Sequence, residues 1–138
     1  MADIQFKYGT ENTDFKRVAE MLSTSYWIPG ITEDKIKTAF ENSAVIAAGY
    51  DGGYQMCCCR AVSDKIRFAY IMDVFVDEKY RRKGYGQKMI KFLLESAELE
   101  PVRHICLLTR DAHKFYEKNG FTLFSRPADL LEIKKGNW

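Results

Sequence analysis

Two apolar runs, separated by a basic glycine-bearing loop and a helix, most constrain what this chain can fold into. From Arg67 to Val76 the sequence is apolar at nearly every position, and His104 to Thr109 reads His-Ile-Cys-Leu-Leu-Thr. A strand without polar alternation has both faces covered and lies inside a sheet. Between the runs, Met89, Ile90, Leu93, Leu94 and Ala97 recur at the spacing of one helical face, and Pro101 lies beyond the helix end. Two buried strands joined by a helix predict a parallel pair with a right-handed crossover.

The sequence before this unit predicts a meander. Ile4, Phe6 and Tyr8 alternate with polar residues, as in a half-buried strand. Thr13 is placed to cap a helix with Phe15, Val18, Ala19 and Leu22 on one face, and Thr32 to cap a second with Ile36, Ala39 and Phe40 inward. Ser43 to Tyr50 and Tyr54 to Val62 flank Asp51-Gly52-Gly53, a hairpin turn sequence. After His104 to Thr109, Ala112, Phe115, Tyr116 and Asn119 predict a short helix ended at Gly120, and Phe121 to Phe124 with Leu130 to Ile133 predict a closing hairpin. The fold class is α/β (α+β in some schemes): a mixed central sheet, an antiparallel meander followed by a β-α-β crossover. No repeat, linker or low-complexity tract divides the 138 residues, so residues 1–138 are expected to form one domain.

Bulk properties exclude several classes. A net charge of +2 gives no general attraction to nucleic acid or an anionic membrane, so any phosphate affinity must be local. The first residues lack a basic region followed by an apolar run, and no apolar stretch approaches the roughly 20 residues that span a bilayer, so a cytoplasmic protein is expected. Of the four cysteines, Cys57, Cys58 and Cys59 are consecutive and lack the Cys-x-x-Cys spacing of a zinc site. They read as small apolar fillers in a reducing compartment, with a redox role for Cys58 as the alternative. His104 and His113 read as surface or structural residues, and no metal site is expected.

The chemistry concentrates in Asp73-Val-Phe-Val-Asp-Glu-Lys-Tyr-Arg-Arg-Lys-Gly-Tyr-Gly-Gln87. A buried strand ends, a basic loop follows, and a helix opens at two glycines. Bare N–H groups and the helix dipole make such an end an anion site. Gly84 and Gly86 let a pyrophosphate approach the backbone, while Arg81, Arg82 and Lys83 add charged donors. The P-loop pattern is absent, and the dinucleotide fingerprint would need a glycine where Met89 stands. Asp73 is a carboxylate in an apolar strand, where an unpaired charge is costly. It is either a base or binding group for an incoming ammonium, or a structural carboxylate bonded to backbone or an arginine.

Asp-Val-Phe-Val, Arg81-x-x-Gly84-x-Gly86 and the later Ala112-x-x-x-Tyr116-x-x-x-Gly120-Phe121 together resemble the GNAT superfamily of N-acetyltransferases. The resemblance spans nearly the whole chain. It implies acetyl-coenzyme A as the acyl donor, bound where the strands ending at Val76 and Thr109 splay apart. Backbone groups of Val74 and Val76 would pair with the pantetheine arm, and amides from Arg82 to Gln87, Tyr85 included, would hold the pyrophosphate. A backbone N–H near Val74 or Phe75 would serve the oxyanion. Tyr116 matches the proton donor to the leaving thiolate; the alternative is a core tyrosine. Thr109 stands where many members carry Asn, with a hydroxyl able to bond pantetheine, and Arg82 where a glycine is frequent.

Tyr26 and Trp27, in an aromatic loop, either line the acceptor pocket or seal the core. The implied reaction is acetyl transfer to a primary amine of a small molecule or peptide; the alternative is a CoA-binding sensor or scaffold without turnover. No residue selects the acceptor. Nucleic-acid and membrane partners are not expected, and a homodimer is the assembly that such enzymes commonly form.

Overall fold

In the computed structural model, which describes residues 3–136, five strands form one sheet in the order β1-β2-β3-β4-β5. The strands are β1 (Ile4–Tyr8), β2 (Val45–Asp51), β3 (Tyr54–Ser63), β4 (Phe68–Val76) and β5 (His104–Cys106). The first three pairings are antiparallel, and β4 with β5 is parallel. The helices are α1 (Phe15–Ser23), α2 (Glu33–Glu41), α3 (Tyr85–Leu94) and α4 (His113–Glu117). The mixed sheet with its β4-α3-β5 crossover agrees with the class expected from the apolar runs.

Both faces of the sheet are covered, which explains the cysteine triplet. Successive side chains on β3 point to opposite faces. Cys57 and Cys59 join the layer closed by Met89, Ile90 and Leu93 of α3. Cys58 joins the opposite layer with Val18, Met21 and Leu22 of α1 and Ile36 and Phe40 of α2. All three thiols are fully buried, none facing water. Phe40 is also fully buried, and truncating such a side chain to alanine costs about 3–5 kcal/mol. No described helix is long and apolar enough to cross a membrane.

Three local expectations are corrected. Asp14, not Thr13, caps α1: its carboxylate accepts from the Arg17 N–H, while the Thr13 hydroxyl donates to the Gly9 carbonyl at 2.9 Å. β5 stops at Cys106 instead of running to Thr109. Phe121 to Phe124 and Leu130 to Ile133 do not extend the sheet. Pro127 opens a 3-10 turn over Pro127–Asp129, and β5 presents only three residues to pair with. Leu123, Leu131 and Ile133 meet no covering layer and stand 77 %, 90 % and 90 % exposed.

Candidate active site

The site begins with a register fault. Cys58 pairs with Phe75, but Arg60 pairs with Met72, so Cys59 stands opposite both Asp73 and Val74. This is a β-bulge, which bends a strand and increases its local twist. Asp73 takes it up with φ 56°, a left-handed conformation that costs a non-glycine residue about 1–3 kcal/mol and that Asp tolerates better than most. Pairing with β5 covers only Phe68, Ala69 and Tyr70. Beyond the bulge, Val74 to Val76 therefore keep β3 on one edge and have no strand on the other. The parallel pairing thus opens at this end of the sheet, where the family resemblance implies splayed strands, although β5 ends at Cys106 and not at Thr109.

A cleft of about 1140 Å³ occupies this divergence. The Val74–Val76 edge, the start of α3, the end of α1, the loop carrying Tyr26 and Trp27, and α4 all line it. At the start of α3, Gly84 adopts φ 85° in the N-cap position without a side-chain cap. The first intrahelical bond runs from the Lys88 N–H to the Gly84 carbonyl, at 3.2 Å. The amides of Tyr85, Gly86 and Gln87 find no protein acceptor among the described residues. A Cβ built on Gly84 would meet nothing within 4 Å, so the approach to these donors is open. Bare N–H groups, the positive helix end and the arginines that line the same cleft, Arg81 and Arg82, fit a diphosphate.

Gly86 serves another purpose. A Cβ there would lie 3.0 Å from two ring carbons of Phe115, so this glycine lets α4 pack against α3. Gln87 reinforces the junction: its amide donates to the Phe115 carbonyl at 2.7 Å and accepts from Asn119 at 2.7 Å. Arg81 donates through Nε to the Val76 carbonyl at 2.8 Å and lies over the Phe75 ring, 5.1 Å from its centroid. It thus braces the exposed strand edge as well as bringing charge to the cleft.

Tyr26, Trp27, Val74, Phe75, Val76, Arg81, Arg82, Gly84, Tyr85, Gly86, Gln87 and Tyr116 all line the cleft. Asp73, Lys83 and Thr109 do not. The Thr109 hydroxyl accepts from the Ala112 N–H at 3.0 Å, shaping the entry to α4. Asp73 turns its carboxylate away, to Arg60 Nε at 2.6 Å, and both side chains are buried.

Tyr116 sits half-buried against Phe115 and Phe121, with ring centroids 4.9 and 5.7 Å away, and its hydroxyl has no protein partner among the described residues. Burial, helped by the neighbouring Cys59 and Tyr26, pushes its pKa up to about 12. Tyr26 packs edge-on against Trp27 at 5.1 Å and carries the Arg110 guanidinium 3.8 Å from its ring centroid. Trp27 in turn lies 6.3 Å from Phe75.

Sequence reading missed a polar strut on the cleft rim. Arg17 of α1 pairs with Asp77, and the Tyr54 hydroxyl donates to the same carboxylate oxygen at 2.6 Å. Burial raises the Asp77 pKa, but the bonds from Tyr54 and the Lys79 N–H and the Arg17 charge outweigh it and hold the group below its ordinary value. The one sequence clue is Asp77 immediately after β4, where its Oδ1 accepts from the Lys79 N–H at 2.9 Å. Among the described residues, no three His, Cys, Asp or Glu are grouped to hold a metal ion.

The family model described as "Acetyltransferase (GNAT) domain" matches residues 41–123. A Xanthomonas campestris protein assigned to the GNAT acetyltransferase family superposes with a TM-score of 0.91 at 28 % identity, over 98 % of this chain and 95 % of that one. A GNAT-family acetyltransferase from Streptococcus pneumoniae gives 0.77 at 23 % identity, covering 98 % of each chain. Glucosamine-6-phosphate N-acetyltransferase from Arabidopsis thaliana gives 0.69 at 20 %, over 96 % and 98 %, a likeness of fold alone. No curated protein matches at a significant level.

Proposed function

The chain belongs to the GNAT acetyltransferase family, and from that footing we propose that it moves the acetyl group of acetyl-CoA to a primary amine of a small molecule or peptide by direct attack. One observation carries the reading: the unpartnered amides at the start of α3 open into the same cleft as the free Val74–Val76 edge and the unbonded Tyr116 hydroxyl. A diphosphate on the amides directs the attached arm along β4, toward Tyr116. The cleft accommodates an extended cosubstrate, since drug-sized ligand pockets hold about 300–1,000 Å³.

Acetyl-CoA supplies an activated thioester carbonyl. The neutral amine nitrogen forms a bond to that carbon, the carbon–sulfur bond breaks, the nitrogen releases a proton to solvent and the sulfur leaves as a thiolate. A backbone N–H of Val74 or Phe75 donates to the carbonyl oxygen as charge develops, a contribution worth about 3–4 kcal/mol when one such donor is removed. Tyr116 keeps its proton throughout the neutral range and offers it to the departing sulfur. Its pKa of about 12 lies above the roughly 8.5 of a thiol, so the phenol stabilises the thiolate by hydrogen bonding rather than by ionising outright. Trp27, Tyr26 and Phe75 form an aromatic entrance for the acceptor. Arg81, Arg82 and the α3 amides hold the donor's phosphates.

The test is two-step. Addition of acetyl-CoA or CoA should raise Tm, because ligand binding to the native state alone stabilises it. Thiol release across a panel of amines should then identify acceptors. Stabilisation without thiol release would reassign the protein as a CoA-binding module, and no stabilisation would remove the cosubstrate.

A further inference from the structure

The bulge that precedes the Val74–Val76 edge carries a buried ion pair whose members sit on neighbouring strands. Asp73 is fixed at two points. Its carbonyl accepts from the Cys58 thiol at 3.4 Å, and its carboxylate accepts from Arg60 Nε at 2.6 Å. Arg60 is itself anchored: Nη1 donates to the Ser43 hydroxyl at 3.3 Å, that hydroxyl donates to the Ala39 carbonyl at 2.9 Å, and the guanidinium lies 5.6 Å from the Phe40 ring centroid. The chain of contacts runs from the end of α2 through β3 to the one residue of β4 with positive φ.

We propose that Asp73 is a positioning residue: the Arg60–Asp73 pair holds the left-handed turn that swings the Val74–Val76 backbone away from β5 and into the cleft. Three observations converge on it. The register fault lies opposite Cys59, directly between the paired positions 58 and 60. With residue 73 extended, β4 would run on in regular register, and every residue beyond it would pair one position out and face the opposite side. The carboxylate, meanwhile, is directed away from the cleft, which Val74, Phe75 and Val76 line and Asp73 does not. A buried charge pair is weak evidence for stability, and its best-attested use is to select one backbone arrangement over others. Here the arrangement selected is the one that leaves a strand edge free for a ligand.

This inference rests on the acetyl-CoA reading for its effect on turnover, but not for its effect on the backbone. Three variants separate the roles: Arg60→Met/Asp73→Gly, Arg60→Met/Asp73→Val and Asp73→Asn. Glycine reaches positive φ freely, asparagine tolerates it, and valine resists it. Without ligand, the backbone chemical shifts of Val74 to Val76 should stay near wild type in the Gly and Asn variants and move in the Val variant. With acetyl-CoA and an accepted amine, the Val variant should raise the KM for acetyl-CoA by about tenfold or more, equivalent to a change of about 1.4 kcal/mol, and the Gly variant should restore it.

In the Asn variant, kcat should stay within about threefold of wild type with an unchanged pH profile, because loss of a true general base costs about a hundredfold or more. Equal shifts in the Gly and Val variants would overturn the proposal, as would a hundredfold fall in kcat for Asp73→Asn with a normal KM. If valine abolishes folding, the Asn and Gly variants decide alone. A wild-type protein that binds no CoA would sink the cosubstrate, while the ligand-free shifts would still judge the turn.

Discussion

Gly86 and Phe115 touch so closely that a Cβ added to the glycine would sit 3.0 Å from two carbons of the ring. The first turn of α3 and the body of α4 thus share one van der Waals surface at the bottom of the cleft. Gly86→Ala gains about 1 kcal/mol of helix propensity but forces the ring aside, a crowding that costs about 1–3 kcal/mol. We expect a net loss of about 1 kcal/mol, seen as a Tm lower by about 4 °C. Because the displaced ring lines the cleft, CoA binding measured by calorimetry should weaken as well.

Tyr116→Phe removes a hydroxyl with no protein partner, so melting should change little. If the phenol serves the leaving sulfur as a hydrogen-bond donor, kcat should drop by about a hundred- to a thousand-fold while KM for acetyl-CoA stays put. The high pKa of about 12 also fixes a pH signature. Turnover should climb with pH as the acceptor amine loses its proton, and no descending limb from this tyrosine should interrupt it below about pH 11. A wild-type profile that falls near the ordinary tyrosine pKa would contradict the burial described for it.

Burial pushes the Cys57 pKa up to about 12 and those of Cys58 and Cys59 well above their ordinary value. In the unfolded chain these thiols ionise near about pH 8.5. Above that pH the unfolded state binds fewer protons than the native state, so stability falls as pH rises toward the folded values. Tm should therefore decline between about pH 8 and pH 11, less steeply in Cys58→Ala than in wild type. An aryl disulfide reagent should label half-buried Cys106 in the native protein and reach the other three only on unfolding.

Asp77 supplies the acid-side counterpart. Its depressed pKa means that its contribution is fully present above the unfolded value and is lost as pH falls through the folded one. Asp77→Ala takes from Arg17 its buried counter-ion, leaving it the Gln55 carbonyl and Glu20, and removes the acceptor of Tyr54, for a loss of about 1–3 kcal/mol. Denaturant unfolding at neutral pH measures that loss. The difference from wild type should shrink in acid.

Much of this architecture was legible because it is written in neighbouring residues. The apolar alternations, Thr32 at the N-cap of α2, the Asp51-Gly52-Gly53 turn and the glycine start of α3 each act within one element or one bend. What escaped is long-range. Asp73 invites a catalytic reading until Arg60, thirteen residues away on the adjacent strand, is seen beside it. Arg17 and Asp77 are sixty residues apart and meet only because α1 crosses the end of β4. Gly86 looks like a phosphate glycine by its place in the motif, yet its packing partner is Phe115. The segment from Phe121 to Ile133 has strand-like residues, but a strand forms only where an edge accepts it, and β5 is three residues long.

That brevity has a mechanical consequence. The part of the chain bearing Tyr116 packs on the core but pairs with the sheet as a strand only at Phe68, Ala69 and Tyr70, whereas β2 and β3 are laced together along their lengths. Backbone protection against exchange should accordingly be high across the meander and low from β5 onward. A molecule lodged in the fork would act as a rivet between the two parts, tightening the second onto the first and slowing exchange far from any atom that it touches.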